Sequence, residues 1–355
     1  MSVPIVDTIV LTWNGLDLIR SFVESYRACT LFPTRLIIVD NASLDGTAEY
    51  LANLLSTQNC EIKVITNQEN LGFVDGMNQG IRESHAAFVC LANNDLLFSP
   101  GWIDEIISVF ERNPGIGLLN PNSNSLGARR KDNESLESFS LSLKKKYQGV
   151  FVELPFCIGF CMFIRRDVIT KVGGLSSEFA PFYFEDTDYS LKTRKAGYLL
   201  GVAKGAYVWH QEHASFNQIK NKGEDVFAKN REIFRKKWGK ILRILWIVDS
   251  HKEVSEALKD AIELARSGNY VWFMTGDMSR TREELFKGLG IFDHSGVNFN
   301  VARNDFSRIW MIVIKKKRYD VIICKNKLIA WVLKKFGFNV LSSFDKVKIN
   351  DIKKA

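Results

Sequence analysis

Through the first hundred residues, apolar runs of strand length alternate with segments of helical period, the pattern of a parallel sheet joined by crossover helices. Residues 6–12, 35–39, 62–65 and 87–92 read as four strands. Between them Leu16, Ile19, Phe22, Val23 and Tyr26 fall on one helical face, and Val74, Met77 and Ile81 on another. A further amphipathic helix carries Ile103, Ile106, Ile107 and Phe110, with Ser99 as its expected cap and Pro100 at its first position, and it stops at Asn113-Pro114. Residues 120–149 are rich in Ser, Asn and charge, which predicts a mobile loop or irregular excursion. After the basic run Arg235-Lys236-Lys237-Trp238-Gly239 the alternation resumes. Strands are expected at 243–249, 270–275, 309–314, 320–324 and 339–341, and helices at 253–266 and 328–336. Two domains follow, residues 1–240 and a smaller α/β unit at 241–355.

A chain of 355 residues, 46% hydrophobic and 25% charged, is long enough for two cores and has the balance of an ordinary folded protein. Its apolar stretches, such as 309–314, fall far short of the ~20 residues of a membrane span. Met1 runs almost directly into the strand beginning near Pro4, so no export leader is expected and the default compartment is the cytosol. Six scattered cysteines (29, 60, 90, 157, 161 and 324) read as buried thiols in a reducing compartment. Charge is uneven: −8 over residues 1–140, +8 over 141–240 and +8 over 241–355. The later segments therefore suit an anionic partner, whether a diphosphate, a lipid surface or a nucleic acid.

In a parallel sheet with right-handed crossovers, ligands bind outside the carboxyl ends of the strands. Polar residues gather at those ends: Thr12-Trp13-Asn14, Asp40-Asn41-Ala42-Ser43 and Asn93-Asn94-Asp95. Asp40 ends an apolar strand and must find donors, for which nucleoside N–H and ribose hydroxyl groups are suitable. Gly72 and Asn78 flank the start of a helix, where backbone amides can approach a phosphate. Asn93-Asn94-Asp95 offers one carboxylate and two amide oxygens, hard ligands for Mg²⁺ or Mn²⁺ held together with a diphosphate; an Asx turn is the plain alternative. Phe182-Tyr183-Phe184-Glu185-Asp186-Thr187-Asp188 crowds three carboxylates at the start of a helix that runs to about Lys195 and is closed by Gly197. Acidic residues there serve the helix dipole, but carboxylates against aromatic rings and one another also acquire raised pKa values, as a general base for a sugar hydroxyl requires. His210 follows the apolar run Ala206-Tyr207-Val208-Trp209 and can supply a nitrogen ligand; His213 has no partner at zinc spacing.

Taken in order, Ile37-Ile38-Val39-Asp40-Asn41-Ala42-Ser43-Leu44-Asp45-Gly46-Thr47, Asn70-Leu71-Gly72-Phe73, Asn78-Gln79-Gly80-Ile81, Asn93-Asn94-Asp95, Gly173-Gly174-Leu175 and Glu185-Asp186-Thr187-Asp188 resemble an inverting family 2 glycosyltransferase, closest to its rhamnosyltransferase-like branch, over about residues 4–215. The resemblance implies a GT-A fold, a mostly parallel sheet flanked by helices, that moves a sugar from a UDP-, dTDP- or GDP-linked donor to a saccharide or lipid-linked saccharide acceptor. It implies that Thr12, Trp13, Asn14, Asp40, Asn41, Gly72, Asn78, Asn93 and Asn94 form the nucleotide-sugar side. Asp95 and His210 would be ligands of Mn²⁺ or Mg²⁺, Asp186 the catalytic base with Glu185 beside it, and Asp188 and Trp209 the acceptor side. Asn93 departs from the family's Asp-x-Asp pattern. Residues 159–166, with Arg165-Arg166, would lie between donor and acceptor, or else form a central strand and a surface turn. The C-terminal unit resembles the opening half of a GT-B enzyme without the donor half, hence a non-catalytic Rossmann-like module. Its basic runs Lys315-Lys316-Lys317-Arg318, Lys334-Lys335 and Lys353-Lys354 suit peripheral contact with an anionic inner membrane face, or form a solvated surface.

The rival from another class is a degenerate transferase acting as a nucleotide-sugar-binding or scaffolding protein, favoured by Asn93. A nucleotidyltransferase would need a basic, glycine-rich loop after the first strand, and Thr12-Trp13-Asn14-Gly15-Leu16-Asp17 lacks one. No motif for reading nucleic acid is present.

Overall fold

The computed structural model describes residues 4–211, 220–276, 279–315 and 318–354. They fall into two compact units, 1–151 with 156–233, and 152–155 with 234–355. His213, Lys316 and Lys317 lie outside the described residues.

In the first unit the elements run β1 (Val6–Thr12), α1 (Leu16–Cys29), β2 (Thr34–Asp40), α2 (Thr47–Ala52), β3 (Cys60–Thr66), α3 (Gly72–Glu83), β4 (Phe88–Ala92), β5 (Leu96–Phe98), α4 (Trp102–Arg112), β6 (Ile116–Asn122) and α5 (Leu136–Tyr147). β7 (Phe151–Glu153) straddles the unit boundary, and β8 (Cys161–Arg165), α6 (Arg166–Val172), α7 (Glu185–Lys195), β9 (Leu199–His210) and α8 (Lys220–Trp238) follow. The sheet order is β3-β2-β1-β4-β8-β6-β9-β5. β3, β2, β1 and β4 are mutually parallel, whereas β8 runs antiparallel to both β4 and β6, so the sheet is mixed. Ile19, Phe22, Val23 and Tyr26 of α1 bury the face that their spacing marks out, against Phe98, Trp102 and Phe163. Each such side chain removed from water contributes about 1.5–3 kcal/mol. Gly80 lets α3 lie directly on Ile9 of β1, where a Cβ would collide.

Two expectations fail here, and one open alternative is decided. Residues 136–147 are helical, with Ser135 Oγ capping the Ser138 N–H at 3.1 Å, so much of the expected excursion is α5. Its only buried residue is Ser140, which left no apolar stripe to read. α4 is preceded by Gly101 in the left-handed region, φ +74°, while Ser99 Oγ donates to Tyr207 O at 2.6 Å instead of capping. Of the two readings of residues 159–166, the central strand is the one that forms, as β8. Phe88 opposes Arg165, which places both arginines at the amino ends of the parallel strands, where Arg165 donates to Ile116 O and Phe110 O and Arg166 to Ala86 O.

The second unit has β10 (Arg243–Ile247), α9 (His251–Arg266), β11 (Tyr270–Thr275), α10 (Arg282–Lys287), β12 (Val297–Val301), α11 (Asp305–Val313), β13 (Val321–Cys324), α12 (Lys327–Lys335), β14 (Val340–Leu341) and α13 (Lys346–Lys354). Its five strands are all parallel in the order β12-β11-β10-β13-β14. The expected strand at 309–314 is helix α11, opened by a capping box between Asn304 and Ser307. The missed strand β12 explains it: parallel β12 and β13 need a crossover, and this apolar run supplies the helix. The six cysteines are free thiols, five of them buried. Among the described residues no helix is long and apolar enough to cross a membrane.

Candidate functional site

The polar strand ends meet on one rim of the first unit. Thr12 lies opposite Asp40 in the β1–β2 register, and the Asn94 side-chain amide donates to Thr12 Oγ1 at 3.3 Å. The Asn93 N–H donates to Phe160 O at 2.8 Å, and the Phe160 ring stacks on His210 with centroids 5.4 Å apart. Next to Phe160, the Gly159 N–H donates to Asp186 Oδ2 at 2.9 Å. A continuous chain of contacts therefore joins Asp40, Asp95 and Asp186.

Along that chain three carboxylate oxygens are buried without a hydrogen-bond partner: Asp40 Oδ2, Asp95 Oδ1 and Glu185 Oε2. No other carboxylate among the described residues has one. At the opposite sheet edge the equally buried Asp7 is fully served, by Arg35 at 2.8 and 3.0 Å and by the His85 and Ala86 N–H groups. Leaving a buried carboxylate oxygen unmet costs on the order of 1–3 kcal/mol, so such a concentration marks a surface that awaits donors or a cation.

The non-glycine residues at positive φ gather here too: Asn14 (+48°), Ala42 (+60°), Tyr183 (+75°) and Phe184 (+71°). Such conformations cost about 1–3 kcal/mol each and cluster at sites where geometry is over-determined. Asn14 ties two turns together, donating its N–H to Ser43 Oγ at 2.9 Å and accepting from the Leu44 N–H at 2.8 Å. Ser43 in turn donates to Asp40 Oδ1 through both N–H and Oγ, at 3.2 and 2.5 Å. Trp13 is half-buried beside them. Asn41 is a buried hub that donates to Asn70 Oδ1 and Gly72 O and accepts from Asn67.

Two members of the expected nucleotide-sugar side have different work in the structure. The start of α3 is already occupied: Gly72 N–H meets Asn70 Oδ1, and the Phe73 and Val74 N–H groups both donate to Pro181 O. Gly72 is needed because φ is +77° and a Cβ would come within 2.7 Å of Pro181. Asn78 clamps the Leu175 backbone, donating to its carbonyl and accepting from its N–H, each at 2.9 Å.

His210 Nε2 lies 3.1 Å from Asp95 Oδ1, yet the angle makes no hydrogen bond, since Asp95 Oδ1 is without a partner. His210 Nδ1 meets Ser125 Oγ at 2.8 Å, and Asn124 grips the His210 backbone on both sides, at 2.8 and 2.9 Å. In the tautomer that donates Nδ1–H to Ser125 Oγ, the Nε2 lone pair faces a carboxylate oxygen, an arrangement stabilised by a cation between them. Adjacent ligands of an octahedral ion with bonds of about 2.1 Å stand about 3 Å apart, so this pair fits Mg²⁺ or Mn²⁺. Among the described residues no cluster of three or more His, Cys, Asp or Glu side chains is placed to hold a metal, so such an ion would complete its shell with diphosphate and water oxygens.

Asp186 opens α7 beside Glu185. Its Oδ1 accepts from the Thr187 N–H at 2.6 Å and from Thr187 Oγ1 at 3.1 Å. Burial raises the Asp186 pKa, against these hydrogen bonds, which favour the ionised form. Glu185 is pushed up to about 8, by burial first and the Asp186 charge second. Asp188 does not face an acceptor: it is fully buried, accepts from Ser176 Oγ at 2.7 Å and lies 3.9 Å from Lys192 Nζ. Trp209 is half-buried, with the Arg130 guanidinium 5.0 Å over its ring. The sequence reading included Gly159 and Phe160 in the segment 159–166 without giving either a role, and it missed Asn124 and Ser125. The last two stand in the polar run Asn122-Ser123-Asn124-Ser125 that follows β6, another strand end on this sheet.

The model of the family "Glycosyl transferase family 2" matches residues 7–173, which include β1, β2, β4 and their polar ends and stop short of Glu185, Asp186 and His210. An uncharacterized protein, y4gI, of Sinorhizobium fredii is 25% identical over 249 residues, 66% of this chain and 26% of its own length. The N-acetylglucosaminyl-diphospho-decaprenol L-rhamnosyltransferase of Mycobacterium tuberculosis is 21% identical over 239 residues, 59% of this chain and 76% of its own. The chain spans 26% to 65% of the lengths of the first three curated relatives. Among solved structures, the mannosyltransferase PcManGT of Pyrobaculum calidifontis, in complex with GDP-Man and Mn²⁺, aligns with a TM-score of 0.49 at 17% identity, over 65% of this chain and 64% of that one. Residues 7–173, the strands and turns that carry the site, are thus similar to glycosyl transferase family 2, and the mixed sheet flanked by helices is an α/β GT-A fold.

Proposed function

We propose that the chain is an inverting, metal-dependent glycosyltransferase that moves a sugar from a nucleotide-diphosphate donor to an acceptor hydroxyl in polysaccharide or glycan synthesis, working in the cytosol. The carrying observation is the set of partnerless buried oxygens on Asp40, Asp95 and Glu185 along one rim. In this reading Asp40, with Thr12, Asn14 and Asn41 around it, receives the nucleoside hydroxyl and N–H donors. Asp95 and His210 hold Mn²⁺ or Mg²⁺, which when bound supplies charge neutralisation for the leaving diphosphate. Asp186, oriented by the Gly159 N–H and by Thr187, takes the proton of the acceptor hydroxyl. The acceptor oxygen then bonds to the anomeric carbon from the face opposite the diphosphate, whose bond to that carbon breaks with its electron pair, inverting the centre. A raised base pKa is useful here, because a carboxylate that holds its proton more tightly pulls harder on a hydroxyl. The similarity to the mycobacterial N-acetylglucosaminyl-diphospho-decaprenol L-rhamnosyltransferase supports a lipid-linked saccharide acceptor and a deoxyhexose donor.

The test is a thermal-shift screen of UDP-, dTDP- and GDP-sugars with Mn²⁺ or Mg²⁺, followed by transfer assays with the responding donor. Asp186→Asn should lower turnover roughly 10²–10⁴-fold while donor binding survives. Asn93 in place of an acid favours the second reading, a degenerate transferase that binds nucleotide-sugar without turning it over. A donor that shifts the melting temperature but is neither transferred nor hydrolysed by the parent protein would select it.

A further inference from the structure

α11 and α12 cover one face of the second unit's sheet and pack on a shared core of Ile312, Ile329 and Leu333. Helices built this way normally turn polar residues outward. These do not. Phe306, Trp310 and Ile314 of α11 and its last turn are 77%, 57% and 57% exposed, and Leu328 and Trp331 of α12 are 63% and 60% exposed. Their spacings, i, i+4, i+8 on α11 and i, i+3 on α12, put each set on a single outward stripe. Phe306 and Trp310 stack in parallel with centroids 6.4 Å apart, forming a flat aromatic surface in water. A cluster of this kind on one side of a domain is an interaction surface, not scatter.

Charge identifies its partner. Residues 301–336 hold ten Lys and Arg against two Asp, a net +8 that equals that of the entire chain. Among the described cations, Lys327, Lys334 and Lys335 are exposed on α12, and Arg318 is exposed beside Phe336, itself 51% exposed. Lys335 Nζ lies 5.7 Å from the Trp331 ring centroid, so the cation borders the apolar stripe. Tryptophan and phenylalanine flanked by lysine is the composition that seats at the boundary of headgroups and acyl chains, with lysine stems reaching back toward lipid phosphate. A protein partner of matching shape would need to cover large aromatics and several lysines together, whereas an anionic bilayer offers both environments at the required depth.

We propose that the outward faces of α11 and α12 form a membrane-docking surface for anionic lipid, with Trp310, Trp331, Phe306 and Leu328 entering the interface and Lys327, Lys334, Lys335 and Arg318 meeting the headgroups. This surface is a feature of the second unit alone and stands whether or not the first unit is a transferase. Adding phosphatidylglycerol at 30% to phosphatidylcholine vesicles should convert the full-length chain from supernatant to pellet on sedimentation, and 0.5 M salt should release it. Lys334→Glu with Lys335→Glu should weaken partitioning about tenfold or more, and Trp310→Ser with Trp331→Ser by a similar factor. Both pairs are solvent-exposed, so each variant should melt within a few degrees of the parent, which separates lost binding from lost fold. Equal pelleting of parent and variants overturns the proposal, as does binding indifferent to phosphatidylglycerol. A concentration-dependent dimer that the Trp310→Ser, Trp331→Ser variant abolishes, without vesicle binding by the parent, overturns it in favour of a contact between copies.

Discussion

Glu185 and Asp186 are adjacent carboxyl groups in a poorly hydrated turn: burial raises both, and the Asp186 charge raises Glu185 further. For Glu185 the folded value is raised to about 8 from 4.5. The folded state therefore keeps a proton that the unfolded chain loses as pH rises from about 4.5 to 8, so the associated stability is present at low pH and disappears over that window. Glu185→Gln should flatten this slope and make the donor-free protein more stable than the parent at pH 8, by about 1 kcal/mol or more, read from urea midpoints across pH 5–9. Glu185 keeps its proton until about pH 8, so the same substitution exchanges one neutral neighbour of Asp186 for another, and the rising limb of turnover against pH should stay in place with transfer retained. Loss of turnover as deep as in Asp186→Asn would instead make Glu185 the base. Both residues were legible in the sequence as an acidic turn behind aromatics. The role of Gly159 was not, because a backbone N–H has no signature, and it reaches Asp186 across 27 positions.

At the scale of elements, what could be read followed from how strongly an element is patterned. β1 was foreseen to the residue, and α1 and α4 by their apolar faces, because each buries one side against a single core. α5 buries almost nothing, and α11 is apolar on its inner and outer sides, so its run of six consecutive apolar residues fits a strand as well as a helix. Asn78 shows the parallel limit at the site: its motif was visible, but its use was not. Because its amide satisfies both backbone groups of Leu175, Asn78→Ala should strand two polar groups and cost about 1–3 kcal/mol, seen as a melting temperature several degrees lower. A clamp on the Gly174-Leu175 turn predicts that the variant's donor affinity, measured by titration below its melting transition, stays within about twofold. An affinity loss of tenfold or more would place Asn78 against the donor, as the family resemblance implies.

For the whole molecule, the deciding question is whether the second unit serves folding of the first or serves recruitment. Each unit has its own sheet and its own buried core, which favours separable folding. The division is not a clean cut in sequence, however, because residues 152–155 belong with the second unit, where the buried Glu153 accepts from Arg266 at 2.6 and 2.8 Å. Truncation after residue 240 therefore deprives Glu153 of its guanidinium partner, and the shortened chain should melt several degrees below the parent yet still unfold in one cooperative transition. Since Asp40, Asp95, Asp186 and His210 all lie in the first unit, donor affinity and transfer to a short soluble acceptor should survive within a few-fold. Pelleting with phosphatidylglycerol vesicles should vanish, because α11 and α12 are gone. Retained transfer with lost pelleting would establish the second unit as a recruiting module. Loss of the cooperative transition would show that the two units form one folding unit, and Glu153→Gln in the truncated chain would then tell whether the unpaired carboxylate alone is responsible.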